Sequence, residues 1–252
     1  YTEIPQINMQ WFADEIRKSD RVKQNIKDLS DIEIIEHYNL IDKGKLTNLG
    51  VLWLGTASQR SRLVYPLTVQ YIVYDDLEKK VRKEDWQDYS KNPKELLLEI
   101  EKEAIELTYY DEFPLGLFRN KIRHYDARLI RELLINAIAH KSYTISGDIF
   151  IKVYQDRLEI TNPGGLPLGI TKDNILHTTY RRNPHLIRIL HDLKLMEGEG
   201  TGYNLIYEIT SRDAKAFPIP ISDYNATSVT QYSKILDEEA VLLLDLVAKN
   251  YQ

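Results

Sequence analysis

The sequence has no cysteine. That excludes disulfides and thiolate zinc sites, and it suits a reducing, cytoplasmic setting. No apolar run approaches the ~20 residues of a membrane span, and no signal-peptide pattern is visible, so no membrane contact is expected. Positive charge is not in excess: 33 Lys and Arg stand against 38 Asp and Glu, a net charge of -5. A bulk electrostatic hold on nucleic acid is therefore unsupported, which leaves only local basic patches. Internal repeats and low-complexity linkers are missing. So are a Gly-x-Ser-x-Gly elbow and the Gly-Lys-Ser/Thr of a P-loop. The six His, among them His177, His185 and His191, show no metal-ligand spacing.

What is present is ordinary for a globular protein, with 43% hydrophobic and 28% charged residues over 252 positions. That length permits one large domain or two to three small ones. The chain opens on Tyr1 and closes on the helical pattern "DEEAVLLLDLVAKNYQ", so a piece of a longer protein is the simplest expectation.

The first third reads as helical. "WFADEIRKSDRVKQNI" has loosely helix-spaced apolar residues, and "LSDIEIIEHYNLI" carries a Ser30–Glu33 capping box. "DKGK" reads as a turn and "LTNLGVLWLG" as a short buried segment. "YPLTVQYIVYDD" predicts a strand, because Val69, Tyr71 and Val73 alternate. "NPKELLLEIEKEAIELTYYDEF" reads as a helix with Pro93 near its start. "DARLIRELLINAIAHKSY" is a long helical pattern. "DIFIKVYQDRLEITNPGGLP" is a β-hairpin turning at Gln155–Asp156. "RRNPHLIRILHDLKLM" predicts a helix with Asn183 as N-cap and Pro184 at the first helical position. The last part thus runs helix, hairpin, glycine turn, helix, glycine loop, helix. The expected fold class is α/β (α+β), a helical N-terminal part followed by an α/β sandwich with helices on one face of a sheet.

Two features suggest chemistry. At about 100° per residue, Glu132, Asn136 and His140 share one stripe of a helix that is otherwise apolar nearly all round. Such a helix should be buried, and unpaired polar side chains would each cost about 1–3 kcal/mol there. The stripe must therefore meet partners, either a structural polar network or a ligand. An Asn oxygen and a Glu carboxylate suit Mg²⁺ with phosphate oxygens. The second feature is a pair of glycine turns. In "EITNPGGLPLG", Gly164 and Gly165 permit a positive φ or the close approach of a ligand ring, and Asn162 stands at the strand end, where its amide can meet a base. A plain type II turn with Gly164 at its third position is the structural alternative. In "GEGTGY", Gly198, Gly200 and Gly202 lead into a helix, whose N-terminus attracts anions. A flexible turn is the alternative there. Arg181 and Arg182 read as solvated side chains at a helix start.

Taken together, "RELLINAIAHKSY", "RLEITNPGGLP", "RRNPHLIRIL" and "GEGTGYNLI" resemble the Bergerat (GHKL)-type ATPases. The resemblance is closer to the ATPase-like C-terminal domain of RecG-like transcriptional regulators. It covers the last half well and the middle moderately. "GKLTNLGVLWLG" looks like the segment that links a schlafen/AlbA-type DNA-binding domain to this module. The resemblance implies an AlbA-type tail over 1–62, a connecting region over 63–121 and the ATPase-like domain over 122–231. It also implies that the helix over 232–252 begins a winged helix. ATP and Mg²⁺ are the implied cofactors. Asn136 would coordinate the metal, Glu132 would act as the base for a hydrolytic water, and Asn162 would lie near adenine with Gly164 and Gly165 allowing close approach. Gly198, Gly200, Thr201 and Gly202 would wrap the phosphates. DNA bound through regions outside this stretch and a second copy in a homodimer are the implied partners. Two departures stand out. Active members of the wider superfamily carry Asp where Asn162 stands, and the segment between the two glycine turns is short for an ATP lid. The implied activity is thus a weak ATPase, or none, in which case the domain serves as a dimerisation or interaction platform.

Overall fold

The computed structural model describes residues 3–115, 118–167, 169–170, 181–197, 201–213, 215–218, 220–223 and 225–233. The N-terminal part is helical: α1 (Gln6–Lys18), α2 (Gln24–Lys27) and α3 (Asp31–His37), then α4 (Asn48–Leu54) and α5 (Ala57–Arg60). Between α3 and α4, β1 (Ile41–Asp42) and β2 (Lys45–Leu46) form a minimal hairpin around the expected "DKGK" turn. The capping box of α3 is present: Ser30 caps Glu33 N, and the Glu33 carboxylate accepts from Ser30 N at 2.9 Å. Phe12, Tyr38 and Trp53 bring α1, α3 and α4 together through edge-to-face ring contacts at 5.6 and 6.0 Å. The "LTNLGVLWLG" segment forms α4, with five of its residues buried.

Further along come β3 (Val69–Tyr74), β4 (Lys80–Trp86), α6 (Pro93–Glu103), β5 (Tyr110–Leu115), β6 (Phe118–Arg123) and α7 (Ala127–His140). They are followed by β7 (Ile149–Val153), β8 (Arg157–Pro163), α8 (Pro184–Asp192), α9 (Thr201–Arg212), β9 (Pro220–Ser222) and β10 (Ala226–Tyr232). A six-stranded mixed sheet has the order β4-β3-β7-β8-β10-β9. The pair β3–β7 is parallel and the rest are antiparallel. A parallel neighbour requires a long crossover, and here it contains α6, the β5–β6 hairpin and α7. The fold is α+β.

Register decides which side chains meet the helices. Tyr71, Ile151 and Ile160 lie across from one another in neighbouring strands. They are buried with Val69, Val73, Ile149, Val153 and Leu158. This face shares one core with Leu96 and Ile100 of α6, the apolar sides of α7, Ile187, Ile189 and Leu190 of α8, and Ile206 of α9.

The structure differs from the sequence expectation in three places. The run from Pro93 is helical only to Glu103; Ile105–Thr108 is a single 3₁₀ turn and Tyr110 onward is strand. Pairing with "FRNKIR" decides this, along a register from Tyr110–Arg123 to Leu115–Phe118. The stretch Lys80–Trp86, for which no element was expected, is an edge strand whose Lys, Arg, Glu and Asp side chains suit an unpaired edge. The helix after the glycine loop is followed by β9 and β10, and β10 completes the sheet beside β8. The expected terminal helix over 232–252 lies largely outside the described residues. Among the described residues, no helix is long and apolar enough to cross a membrane.

Candidate functional site

The site is organised around α7. Asp126 caps its N-terminus by accepting from Arg128 N at 2.8 Å. Nine of its side chains are buried, and Glu132 is one of them at 5% exposure. The polar stripe expected there is internally connected: Asn136 Nδ2 donates to Glu132 Oε1 at 2.9 Å. Burial pushes the Glu132 carboxyl above its ordinary range. The bond from Asn136 offsets part of that, the negative charge of Glu197 adds to it and Arg131 counteracts it. Asn136 spends a donor on Glu132, and among the described residues no hydrogen bond to its Oδ1 is seen, which leaves that oxygen as an acceptor. His140 completes the stripe. Its imidazole is held down to about 4, first by burial and then by the charge of Arg182, so it is neutral at pH 7.

The C-terminus of α7 is closed by a part of the chain that the sequence assigned to another helix. Asn183 was expected to cap α8, but it makes no side-chain cap there. Its Nδ2 instead donates at 2.9 Å to both Ala139 O and Lys141 O. Arg182 donates to His140 O at 3.1 Å and to Gly165 O. The carbonyls of three consecutive residues at the end of α7 thus find donors in "RRNP", meeting the need of every helix end. Arg182 is therefore not a solvated helix-start residue. No local sequence signal marks this role, because the three carbonyls lie more than forty positions away.

The same arginine shapes the first glycine turn. Gly164 has φ +98°, and a Cβ added there would lie 2.6 Å from an Arg182 guanidinium nitrogen and 2.7 Å from Ser142 Cβ. The fold thus requires glycine at 164 to admit Arg182. The turn is tied down further by Ser142 N to Pro163 O at 3.0 Å, Gly164 N to Asn225 O at 2.7 Å and Thr227 Oγ1 to Gly164 O at 3.0 Å. Asn162 shares the buried face of β8 with Leu158 and Ile160. Its side chain is 8% exposed, and its Oδ1 has no hydrogen-bond partner among the described residues. Lys141, wholly buried beside Tyr143, also leaves its Nζ without a hydrogen bond among the described residues, and burial lowers its ammonium to about 8.

The second glycine stretch is approached through Leu193–Glu197. This segment lies against α7: Arg131 donates to Lys194 O at 3.0 Å, and Glu197 acts electrostatically on Glu132. Gly198 and Gly200 lie outside the described residues. Thr201 and Gly202 open α9, so a helix N-terminus does follow the glycines. Among the described residues, no group of three or more His, Cys, Asp and Glu could hold a metal ion.

No curated protein matches the chain. A crystal structure of the DIP2311 protein from Corynebacterium diphtheriae is similar in fold, with a TM-score of 0.73 at 17% identity, over 95% of this chain and 47% of that one. The chain thus spans about half the length of that protein. Residues 147–230 match a family described as "Putative ATP-dependent DNA helicase recG C-terminal". This matched stretch contains β7, β8, both glycine-rich stretches and most of β10, so that part of the chain is similar to a RecG-like, ATPase-like domain.

Proposed function

We propose that this domain binds ATP with Mg²⁺ between α7, the turn after β8 and the start of α9. The observation that carries the reading is the buried Asn162 Oδ1, an acceptor without a donor among the described residues at the end of β8. Such an orphan is rare in a folded protein and costs about 1–3 kcal/mol. The exocyclic amine of adenine would satisfy it. The available Asn136 Oδ1 fits one protein ligand of a Mg²⁺ ion that otherwise keeps water and phosphate oxygens. When bound, the ion would neutralise charge on the phosphates. Glu132, buried and raised in pKa, is suited to accept a proton from water, and Asn136 orients its carboxylate. The backbone amides at the start of α9 would face the phosphates. Within a longer regulator, nucleotide binding would be coupled to a second copy or to DNA held by other regions.

A second reading keeps the fold without the nucleotide, as an interaction platform. It is favoured by the neutral amide at Asn162 and by the Arg182 guanidinium that already fills the space beside Gly164. Calorimetric titration with ATP-Mg²⁺ separates the two. The first reading expects binding that Asn136→Ala weakens and turnover that Glu132→Ala abolishes. No heat and no thermal shift at millimolar ATP would leave the second reading standing.

A further inference from the structure

The N-terminal helices meet α8 through three consecutive residues at the end of α3. Tyr38 is buried, and its hydroxyl donates to Asp192 at 2.7 Å. The Arg188 guanidinium lies over the Tyr38 ring, 5.0 Å from its centroid, and approaches Asp192 at 3.9 Å. Arg188 also donates to His37 Nε2. Asn39 Nδ2 lies 3.2 Å from His185 Nδ1. These contacts differ in what they demand. The Asn39 amide can serve either protonation state of His185 by turning over, so that pair tolerates a proton. A guanidinium can only donate, so His37 Nε2 must accept. Only the neutral ring, with its proton on Nδ1, can do so.

We propose that the contact between α3 and α8 is a pH-sensitive latch, closed while the His37 ring is neutral and loosened when that ring takes up a proton. Protonation turns the acceptor into a second donor and sets an imidazolium against a guanidinium that stays charged throughout. The groups facing His37 are few. From α8 they are Arg188, which opposes a proton on the ring, and Asp192, which favours one. On its own side the Tyr38 ring stands edge-on at 5.3 Å. Asp192 is already shared by Tyr38, Arg188 and His191, the last at 3.0 Å within α8. Burial first, and then Arg188, hold the His37 imidazole below its ordinary 6.5. A depressed folded value means that the released ring takes up the proton first. The hold is therefore complete above pH 6.5 and is lost as the pH falls through the folded value. The latch ties the attachment of the N-terminal helices to mild acidity, and it does not depend on the nucleotide reading above.

The test is backbone hydrogen exchange of the whole chain, corrected for the intrinsic pH dependence of exchange. The readout is the protection of α3 amides relative to those of β7 and β8, a ratio that removes global effects such as that of His140. From about pH 8 to about pH 5, the span over which an imidazole charges, this ratio should fall. Arg188 is 43% exposed, so the expected fall is roughly two- to fivefold, the range of a partly exposed charge contact. His37→Gln keeps an acceptor and cannot charge, and Arg188→Gln removes the opposing cation. Each should abolish the fall. A ratio that does not move in the unaltered chain overturns the proposal, as does a fall that persists in either variant. If His37→Gln fails to fold, nitrogen NMR of the unaltered chain decides at the alkaline end. The His37 proton should then reside on Nδ1, and a proton on Nε2 overturns the latch.

Discussion

Replacing Asn183 separates two roles for one side chain. In the structure its amide nitrogen serves two partly buried carbonyls at the end of α7, each at 2.9 Å. Asn183→Ala removes both bonds. At about 0.5–1.5 kcal/mol per bond, the loss should be about 1–3 kcal/mol. For a chain of this size each kcal/mol moves the melting temperature by about 2–4 °C, so a fall of about 2–12 °C is expected. Asn183→Asp is the sharper variant. Its carboxylate would face two carbonyl oxygens at the negative end of a helix, so it should destabilise more than Asn183→Ala. Were Asn183 the N-cap of α8, Asp would serve as well as Asn and the variant would be nearly neutral. Urea unfolding followed by circular dichroism gives the ranking. Asn183→Asp as stable as the unaltered chain, or more stable than Asn183→Ala, would refute the assignment.

Gly164→Ala combines a φ of +98° with contacts of 2.6 and 2.7 Å to Arg182 and Ser142. It should cost about 1–3 kcal/mol in strain alone, and an unchanged melting temperature would contradict the packing described. His140 predicts an acid-side slope. Its folded pKa of about 4 lies below the ordinary 6.5, so the unfolded chain takes up the proton first. Stability is fully present above pH 6.5 and is lost as pH falls toward 4, by about 1–3 kcal/mol. His140→Gln should flatten that part of the stability–pH curve, and an unchanged slope would remove His140 as its cause. Lys141→Met should stabilise the chain by about 1–3 kcal/mol, since it removes a wholly buried ammonium without a hydrogen bond among the described residues. A loss of stability on urea unfolding would show that the ammonium is satisfied.

Much of the fold was legible because its signals are local. The Ser30–Glu33 box, the alternation of Ile149, Ile151 and Val153 and the turn at Gln155–Asp156 each depend on residues a few positions apart. The strand "ATSVTQY" was not legible. Its side chains are mostly half-buried and lack an apolar face, and it is a strand because β8 offers it a ladder from Ala226–Pro163 to Tyr232–Arg157. "TYYDEF" was drawn into the preceding helical pattern for the same reason: only pairing with β6 makes it extended. Within the site, the Glu132–Asn136 pair was readable from helical spacing, whereas the closure of α7 by Arg182 and Asn183 was not, since the carbonyls they meet lie more than forty positions away.

The sequence by itself determined the identity and spacing of the polar groups on α7, the glycine turn at Gly164 and the α+β class, because periodicity and backbone freedom are properties of short stretches. Tertiary structure decided what those groups meet. It turned Asn183 from its own helix to the end of α7, placed Arg182 in the space left by Gly164 and buried Asn162 Oδ1 with no donor among the described residues. The physical reason is that a buried donor or acceptor must find a partner wherever the packed chain supplies one, and that choice is made by elements far apart in the sequence.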